Sequence, residues 1–91
     1  QILNGNGVPG IGQRVAERLL PAGYRVVLTR NADRFDHAET RIIVYEDDPA
    51  QLAAAEEIRS LLGVGRIELS RTPQSVADIT IVVGLDLLEA G

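Results

Sequence analysis

The chain of 91 residues suits one domain, and its hydrophobic fraction of 45% and charged fraction of 24% are typical of a globular protein. A net charge of −4, with nine scattered arginines as the basic residues, argues against a nucleic-acid surface. Lack of cysteine excludes disulfides and thiolate metal sites, and no apolar run approaches the roughly 18 residues of a membrane-spanning helix.

The start of the chain bears on its origin. It has no methionine and opens on Gln1, within a predicted strand. We therefore expect residues 1–91 to be a single domain excised from a longer protein. Any signal peptide or membrane anchor would then lie outside this segment.

The first part of the chain predicts a strand, a helix and a second strand. Residues 1–4 (QILN) form the remainder of the first strand, and Pro9 suits the first turn of a helix. Residues 25–30 (RVVLTR) are rich in β-branched side chains and predict the second strand. Between them, apolar residues at i, i+4 and i+8 predict an amphipathic helix that ends near Pro21 and Gly23, with a buried face formed by Ile11, Val15 and Leu19.

The second part repeats this alternation after a polar loop at residues 31–39. Residues 41–46 (RIIVYE) predict a third strand, and residues 66–70 and 78–84 predict a fourth and a fifth. The second helix is predicted to open with Asp48 as N-cap, Pro49 in the first turn and Gln51 as capping-box partner, to bury Leu52, Ala55, Ile58 and Leu62, and to end at Gly63 and Gly65.

An internal repeat with an offset of about 41 residues organises these elements. The sequence RVVLTR at residues 25–30 matches RIELSR at residues 66–71. The chain is therefore predicted to be an α/β (α+β) fold of two βαβ units plus a final strand. Chance resemblance between two amphipathic units is the alternative explanation.

We predict a ferredoxin-like plait, in which two helices cover one face of a mixed sheet. An open doubly wound sheet is the competing architecture. The loop at residues 31–39 has no helical period, which favours an antiparallel neighbour for the second strand, because parallel strands need a longer crossover.

The glycines before the first helix are the most distinctive feature of the sequence. Gly5, Gly7 and Gly10 match the G-x-G-x-x-G pattern of dinucleotide-binding loops, which follow a strand and open a helix. A nucleotide- or phosphate-binding domain is therefore the alternative function. Against it, Arg30 and Asn31 occupy the end of the second strand, where such domains carry an acid that holds the ribose.

Two further interpretations of this segment need no nucleotide. The sequence VPGIGQRVAERLL from Val8 is similar to a DNA-binding helix-hairpin-helix, but that motif needs a preceding helix where residues 2–4 predict a strand. In the purely structural interpretation, glycines allow a tight turn with positive φ, while Asn4 or Asn6 hydrogen-bonds the turn backbone.

The segment also resembles the opening of the LytR C-terminal domain family. That opening comprises an Asn-Gly-(Thr or Asn)-Gly turn, an R-V-A-x-x-L helix, an Ala-Gly end and a V-V strand. In this chain the matching residues are Asn4-Gly5-Asn6-Gly7, Arg14-Val15-Ala16 with Leu19, Ala22-Gly23 and Val26-Val27. Pro21 departs from the pattern, and we expect it to affect only the helix end.

The resemblance extends over nearly the whole chain. It continues with a strand ending in Tyr45, an alanine-rich helix at residues 53–62 and a closing V-V-G-x-D at residues 82–86. It implies a non-catalytic binding or scaffold module outside the cytoplasmic membrane, belonging to a membrane-anchored bacterial protein of cell-wall biogenesis. A cell-wall polymer or an envelope protein is then the expected partner, with no nucleic acid and no cofactor.

The residues of the family turn are the candidate site, in a structural role with possible ligand contact. They are Asn4, Gly5, Asn6, Gly7, Gly10 and Arg14. We expect no catalytic and no metal-binding residues. His37 is the single histidine, and its acidic neighbours Asp33, Asp36 and Glu39 are typical of a solvated loop.

Overall fold

The structure, a computed structural model, describes residues 1–26, 28–70 and 78–90, without the side chains of the last two. Two residues used in the sequence predictions lie outside these ranges: Val27 in the predicted second strand and Arg71 at the end of the repeated sequence. The elements in chain order are β1 (Ile2–Asn4), α1 (Ile11–Leu19), a 3₁₀ turn (Leu20–Ala22), β2 (Thr29–Asn31), β3 (Arg41–Val44), α2 (Pro49–Leu62), β4 (Arg66–Leu69), β5 (Ile79–Val83) and α3 (Asp86–Ala90).

The five strands form one mixed sheet in the order β2-β1-β5-β3-β4. β1 is parallel to β2 on one side and to β5 on the other, and β3 is parallel to β4. The antiparallel pair is β3 with β5. Ile81 of β5 lies opposite Ile2 of β1 and opposite Ile42 of β3, so β5 joins the two halves of the sheet.

The predicted tandem βαβ units are confirmed. β1-α1-β2 and β3-α2-β4 each pair two parallel strands through one helix. The two helices contact each other and therefore cover the same face of the sheet, as predicted, whereas a doubly wound sheet has helices on both faces.

The ferredoxin-like plait is not confirmed. In a plait, another strand separates the two strands of each βαβ unit, whereas here these strands are direct neighbours. The predicted antiparallel contact between the second and third strands is also wrong, because β1 and β5 lie between β2 and β3. The domain is a compact α/β fold with a five-stranded mixed sheet and two main helices.

The core lies between the sheet and the two long helices. Val15 and Leu19 of α1 and Ile58 and Leu62 of α2 are buried, in agreement with the predicted apolar faces. Leu52 is only partly buried. On the sheet side, the core is completed by Ile2, Ile42, Val44, Ile81 and Val83.

The helix ends follow the predicted signals with one exception. Asp48 caps α2, because its carboxylate accepts a hydrogen bond from the Ala50 amide at 3.1 Å. Gln51 does not complete a capping box, since its Oε1 is buried without a hydrogen-bond partner. At the end of α1, Pro21 lies in the 3₁₀ turn and Gly23 follows with φ 91°, so Pro21 affects the helix end as expected.

The observed β2 begins four residues later than predicted and ends one residue later, at Thr29–Asn31. Its partner β1 is only three residues long, and the ladder begins where the Ile2 amide donates to Leu28 O at 2.9 Å. The length of β1 therefore limits the strand pairing of β2. Tyr24 and Val26, before the strand, are partly buried against the core instead.

Candidate functional site

The family turn lies at the carboxyl end of β1, and the side chain of Asn4 holds it together. Asn4 Oδ1 accepts hydrogen bonds from the amides of Asn6 at 3.2 Å and Gly7 at 3.0 Å. Asn4 Nδ2 donates to Val8 O at 3.0 Å. This is an Asx turn closed at both ends by one amide side chain, which explains why asparagine suits this position.

Asn6 connects the turn to the end of the central strand β5. The residue is 8% exposed, its Nδ2 donates to Gly84 O at 2.9 Å, and its Oδ1 accepts from the Val8 amide at 3.0 Å. Both polar atoms of a buried side chain are thus satisfied inside the protein. Asn6 therefore fixes the turn against the residue that follows β5.

Gly5 lies where three segments meet. Its amide donates to Val83 O at 2.9 Å, and its carbonyl accepts from the His37 amide at 3.1 Å. A Cβ on Gly5 would lie 2.6 Å from Val83 O and 2.8 Å from Cδ2 of the His37 ring. Glycine is required at this position because Val83 O and the His37 ring leave no room for a side chain. His37, the single histidine, covers the turn.

Gly7 and Gly10 supply the positive φ angles that the turn needs before α1. Their φ values are 76° and 77°, and Gly10 is the residue preceding the first residue of the helix. A Cβ on Gly7 would meet Phe35 at 3.3 Å, whereas a Cβ on Gly10 would meet no atom within 4 Å. Gly10 is therefore required by backbone conformation alone.

A second hydrogen-bonded cluster, formed by Thr40, Gly84 and Asp86, lies at the same edge of the sheet. The Asp86 carboxylate accepts from the Thr40 amide at 2.9 Å and from Thr40 Oγ1 at 2.7 Å. Thr40 Oγ1 in turn accepts from the Gly84 amide at 3.1 Å. Because Gly84 O also binds Asn6, this cluster and the family turn form one continuous network.

The network uses four of the backbone donors of the glycine-rich loop. The amide of Gly5 donates to Val83 O, those of Asn6 and Gly7 to Asn4 Oδ1, and that of Val8 to Asn6 Oδ1. A pyrophosphate bound at such a loop takes its hydrogen bonds from free amides. The arrangement therefore performs a structural task, in which it joins the ends of β1 and β5 to the loop at residues 32–40.

An open groove of about 470 Å³ lies between α1 and α3. Its charged residues are Arg14, Glu17 and Arg18 on α1. Arg18 Nη1 also contacts Leu62 O at 3.5 Å, at the end of α2. The apolar floor and rim are formed by Ile11, Val15, Leu87 and Leu88, of which Leu88 is 45% exposed.

The structure brings most of the predicted site residues together. Asn4, Gly5, Asn6 and Gly7 share the hydrogen-bonded turn, and Gly10 leads from it into α1. Arg14 is separate, because it lies one turn into α1 and lines the groove instead.

Thr40 and the groove residues Arg18, Leu87 and Leu88 were not among the site residues predicted from the sequence. A detectable signal existed for α3: the sequence Asp86-Leu87-Leu88, which begins two residues after Gly84, joins a helix-favouring acid to two apolar residues. For Thr40, a polar residue just before a strand gives no such signal.

The described part of the chain also bears on two other kinds of feature, metal sites and membrane-spanning helices. Within residues 1–26, 28–70 and 78–90, no group of three or more acidic, histidine or cysteine side chains could hold a metal ion. Among the helices in those same ranges, none has the length and apolar character to cross a membrane.

Comparison with known proteins links the chain to one family. The profile of the family LytR_C, described as LytR cell envelope-related transcriptional attenuator, matches residues 1–87. Comparisons with curated proteins and with solved structures give no match. Because the match spans nearly the whole sequence and includes both the turn and the closing V-V-G-x-D, the chain belongs to the LytR_C family of cell-envelope-associated domains.

Proposed function

We propose that this chain is a non-catalytic binding or scaffold module of cell-wall assembly. It would lie outside the cytoplasmic membrane, as part of a membrane-anchored bacterial protein. The observation that carries the proposal is that two features with different roles lie side by side at one edge of the sheet. The amides of Gly5, Asn6, Gly7 and Val8 in the family turn are bonded within the chain, and the neighbouring groove of α1 and α3 is open.

The groove has the chemistry of a docking surface for an anionic partner. Arg14 and Arg18 are four residues apart on α1, so their side chains lie on the same helix face. Guanidinium groups bind carboxylates and phosphates through paired hydrogen bonds. Exposed Leu88 beside them adds an apolar contact. A cell-wall polymer with phosphate or carboxylate groups, or an acidic segment of an envelope protein, has the matching charge.

The absence of catalysis is part of the proposal and follows from the roles of the polar side chains. Asp86 accepts hydrogen bonds from Thr40, and His37 covers Gly5, so both serve the fold. A hydrolase or transferase site needs a nucleophile within hydrogen-bond reach of a base. The described residues that line the groove include no serine, threonine, cysteine or histidine, which supports the proposal.

A nucleotide- or phosphate-binding role for the Gly5, Gly7 and Gly10 loop has less support. Its ligand would have to displace the side chain of Asn4, which occupies the amides of Asn6 and Gly7. A DNA-binding hairpin is disfavoured because β1 precedes the turn where that motif has a helix.

The test is retention of the purified chain on isolated cell-wall sacculi and capture of solubilised envelope proteins. We expect binding by the native chain and its loss in the double variant Arg14→Glu, Arg18→Glu. Arg25→Glu is the matched control, since Arg25 is exposed and is not among the groove residues. Failure of the native chain to bind either material, or equal loss in the control, would contradict the proposal.

A further inference from the structure

The outer edge of β4 carries unpaired strand backbone and two opposite charges, Arg66 and Glu68. β4 is the last strand on its side of the sheet in the described ranges, so one edge of its backbone has no neighbouring strand there. The amides of Arg66 and Ser70 donate inward, to Thr40 O at 2.9 Å and Val44 O at 2.8 Å. Because alternate residues of a strand direct their amides to opposite edges, the amides of Ile67 and Leu69 point outward.

The charged side chains of β4 lie on the sheet face opposite the helices. Ile67 pairs with Ile42, a residue of the core beneath the helices, so Arg66 and Glu68 on either side of it face the other way. Arg66 is 71% exposed at its side chain. Glu68 binds Arg41 through Oε2 at 2.6 Å, while its Oε1 lies 3.8 Å from Arg66 Nε. Glu68 Oε1 and Arg66 thus form a long ion pair within the chain, and the exposed Arg66 guanidinium keeps further N–H donors for an additional ionic partner.

We propose that two copies of this chain associate by antiparallel pairing of their β4 strands about Ile67. In that register, Ile67 opposes Ile67 of the second copy, and the outward N–H and C=O groups of the two Ile67 residues bond to each other. Arg66 lies opposite Glu68 of the second copy, and Glu68 lies opposite its Arg66. The same ion pair thus forms twice, as two-fold symmetry requires.

The charge pattern selects this register over its neighbours. Pairing centred on Glu68 would set two carboxylates opposite each other, and like charges directly opposite destabilise a strand pair. On the helix-bearing face, the pairing about Ile67 covers Leu69, which is 45% exposed in the single chain. The product is a continuous sheet that joins the two five-stranded sheets, with the main helices of both copies on one face.

The test measures the mass of the 91-residue chain over a range of concentrations by light scattering and sedimentation. We expect a monomer–dimer equilibrium for the native chain. Arg66→Glu and Glu68→Arg should each weaken it by about tenfold or more, because each turns two attractive pairs into two repulsive ones. An equal mixture of the two variants should form a heterodimer, since both charged positions of β4 are then acidic in one chain and basic in the other.

A control variant and a second measurement separate this interface from general effects on folding. Arg41→Gln removes the ion pair between Arg41 and Glu68 but leaves the charges of the β4 edge, so it should dimerise as the native chain does. In the native chain, the Ile67 amide should exchange with solvent more slowly as concentration rises. A native chain that stays monomeric, variants that dimerise normally, a mixture that does not associate, or an Ile67 amide unaffected by concentration would each overturn the proposal.

Discussion

Asp86, at the start of α3, binds both the amide and the hydroxyl of Thr40, just before β3, although 46 residues separate them in the sequence. Thr40 is fully buried. The pair joins the segment after the central strand to the second βαβ unit. Since Gly84 and Asn6 extend the same network, the closing V-V-G-x-D and the opening turn of the family act as one structural feature.

Loss of the Asp86 carboxylate should destabilise the whole fold. Asp86→Ala leaves the buried Thr40 amide and hydroxyl without their acceptor, at an expected cost of about 2–3 kcal/mol in the free energy of unfolding. Asp86→Asn keeps one acceptor oxygen and should cost less. Chemical denaturation monitored by circular dichroism measures both. Glu56→Ala, at an exposed position of α2, is the control and should be nearly neutral. A native-like unfolding midpoint for Asp86→Ala would contradict the role given to this pair.

Gly84 and Gly10 should respond differently to alanine. A Cβ on Gly84 would lie 2.6 Å from Glu39 O, in contact with backbone that cannot rotate away, so Gly84→Ala should cost about 3 kcal/mol. At Gly10 the space is open and the cost is the strain of a positive φ, about 1 kcal/mol. Denaturant midpoints of the two variants give the comparison. If Gly10→Ala were the more damaging substitution, the close approach at Gly84 would not be a constraint.

Tyr24 should make stability fall at high pH. Burial, the largest cause, and the hydrogen bond to Glu57 at 2.6 Å, the second, raise the pKa of Tyr24 to about 12 from its ordinary value of 10.0. The folded chain therefore holds the phenol proton more tightly than the unfolded chain. The resulting stabilisation is complete below pH 10 and is lost as pH rises from about 10 to 12.

Ultraviolet absorption in a Tyr45→Phe background isolates the ionisation of Tyr24, because the chain has only two tyrosines. Glu57→Gln should move the pKa of Tyr24 back toward 10.0, since it removes the negative charge but keeps a hydrogen-bond acceptor. A Tyr24 pKa that is the same with and without the Glu57 charge would show that the contact is not formed in solution.

The local elements were predictable from the sequence because their signals are local. The apolar spacing of Ile11, Val15 and Leu19 predicts α1 and its buried face, and Asp48 with Pro49 predicts the start of α2. The family resemblance also identified the turn at Asn4 and Asn6. These predictions needed only the sequence within each element.

The strand order was not predicted, because it depends on pairing between distant parts of the chain. β5 lies at the centre of the sheet, and Thr80 and Val82 on its helix-free face are as buried as Ile81. A run of apolar residues on both faces is typical of a central strand, and ITIVV at residues 79–83 carries that signal. The groove was missed for the same reason, since it forms only when α3 lies beside α1.

The central claim is that the amides of the glycine-rich turn serve the fold, and an amide NMR titration tests it most directly. The ¹⁵N-labelled chain is titrated with NAD, ATP and inorganic phosphate, and the signals of Gly5, Asn6, Gly7 and Val8 are followed. Because these four amides are bonded within the chain, we predict that their signals stay in place at every ligand concentration. Saturable shifts at these amides would contradict the account and make the turn a phosphate-binding loop.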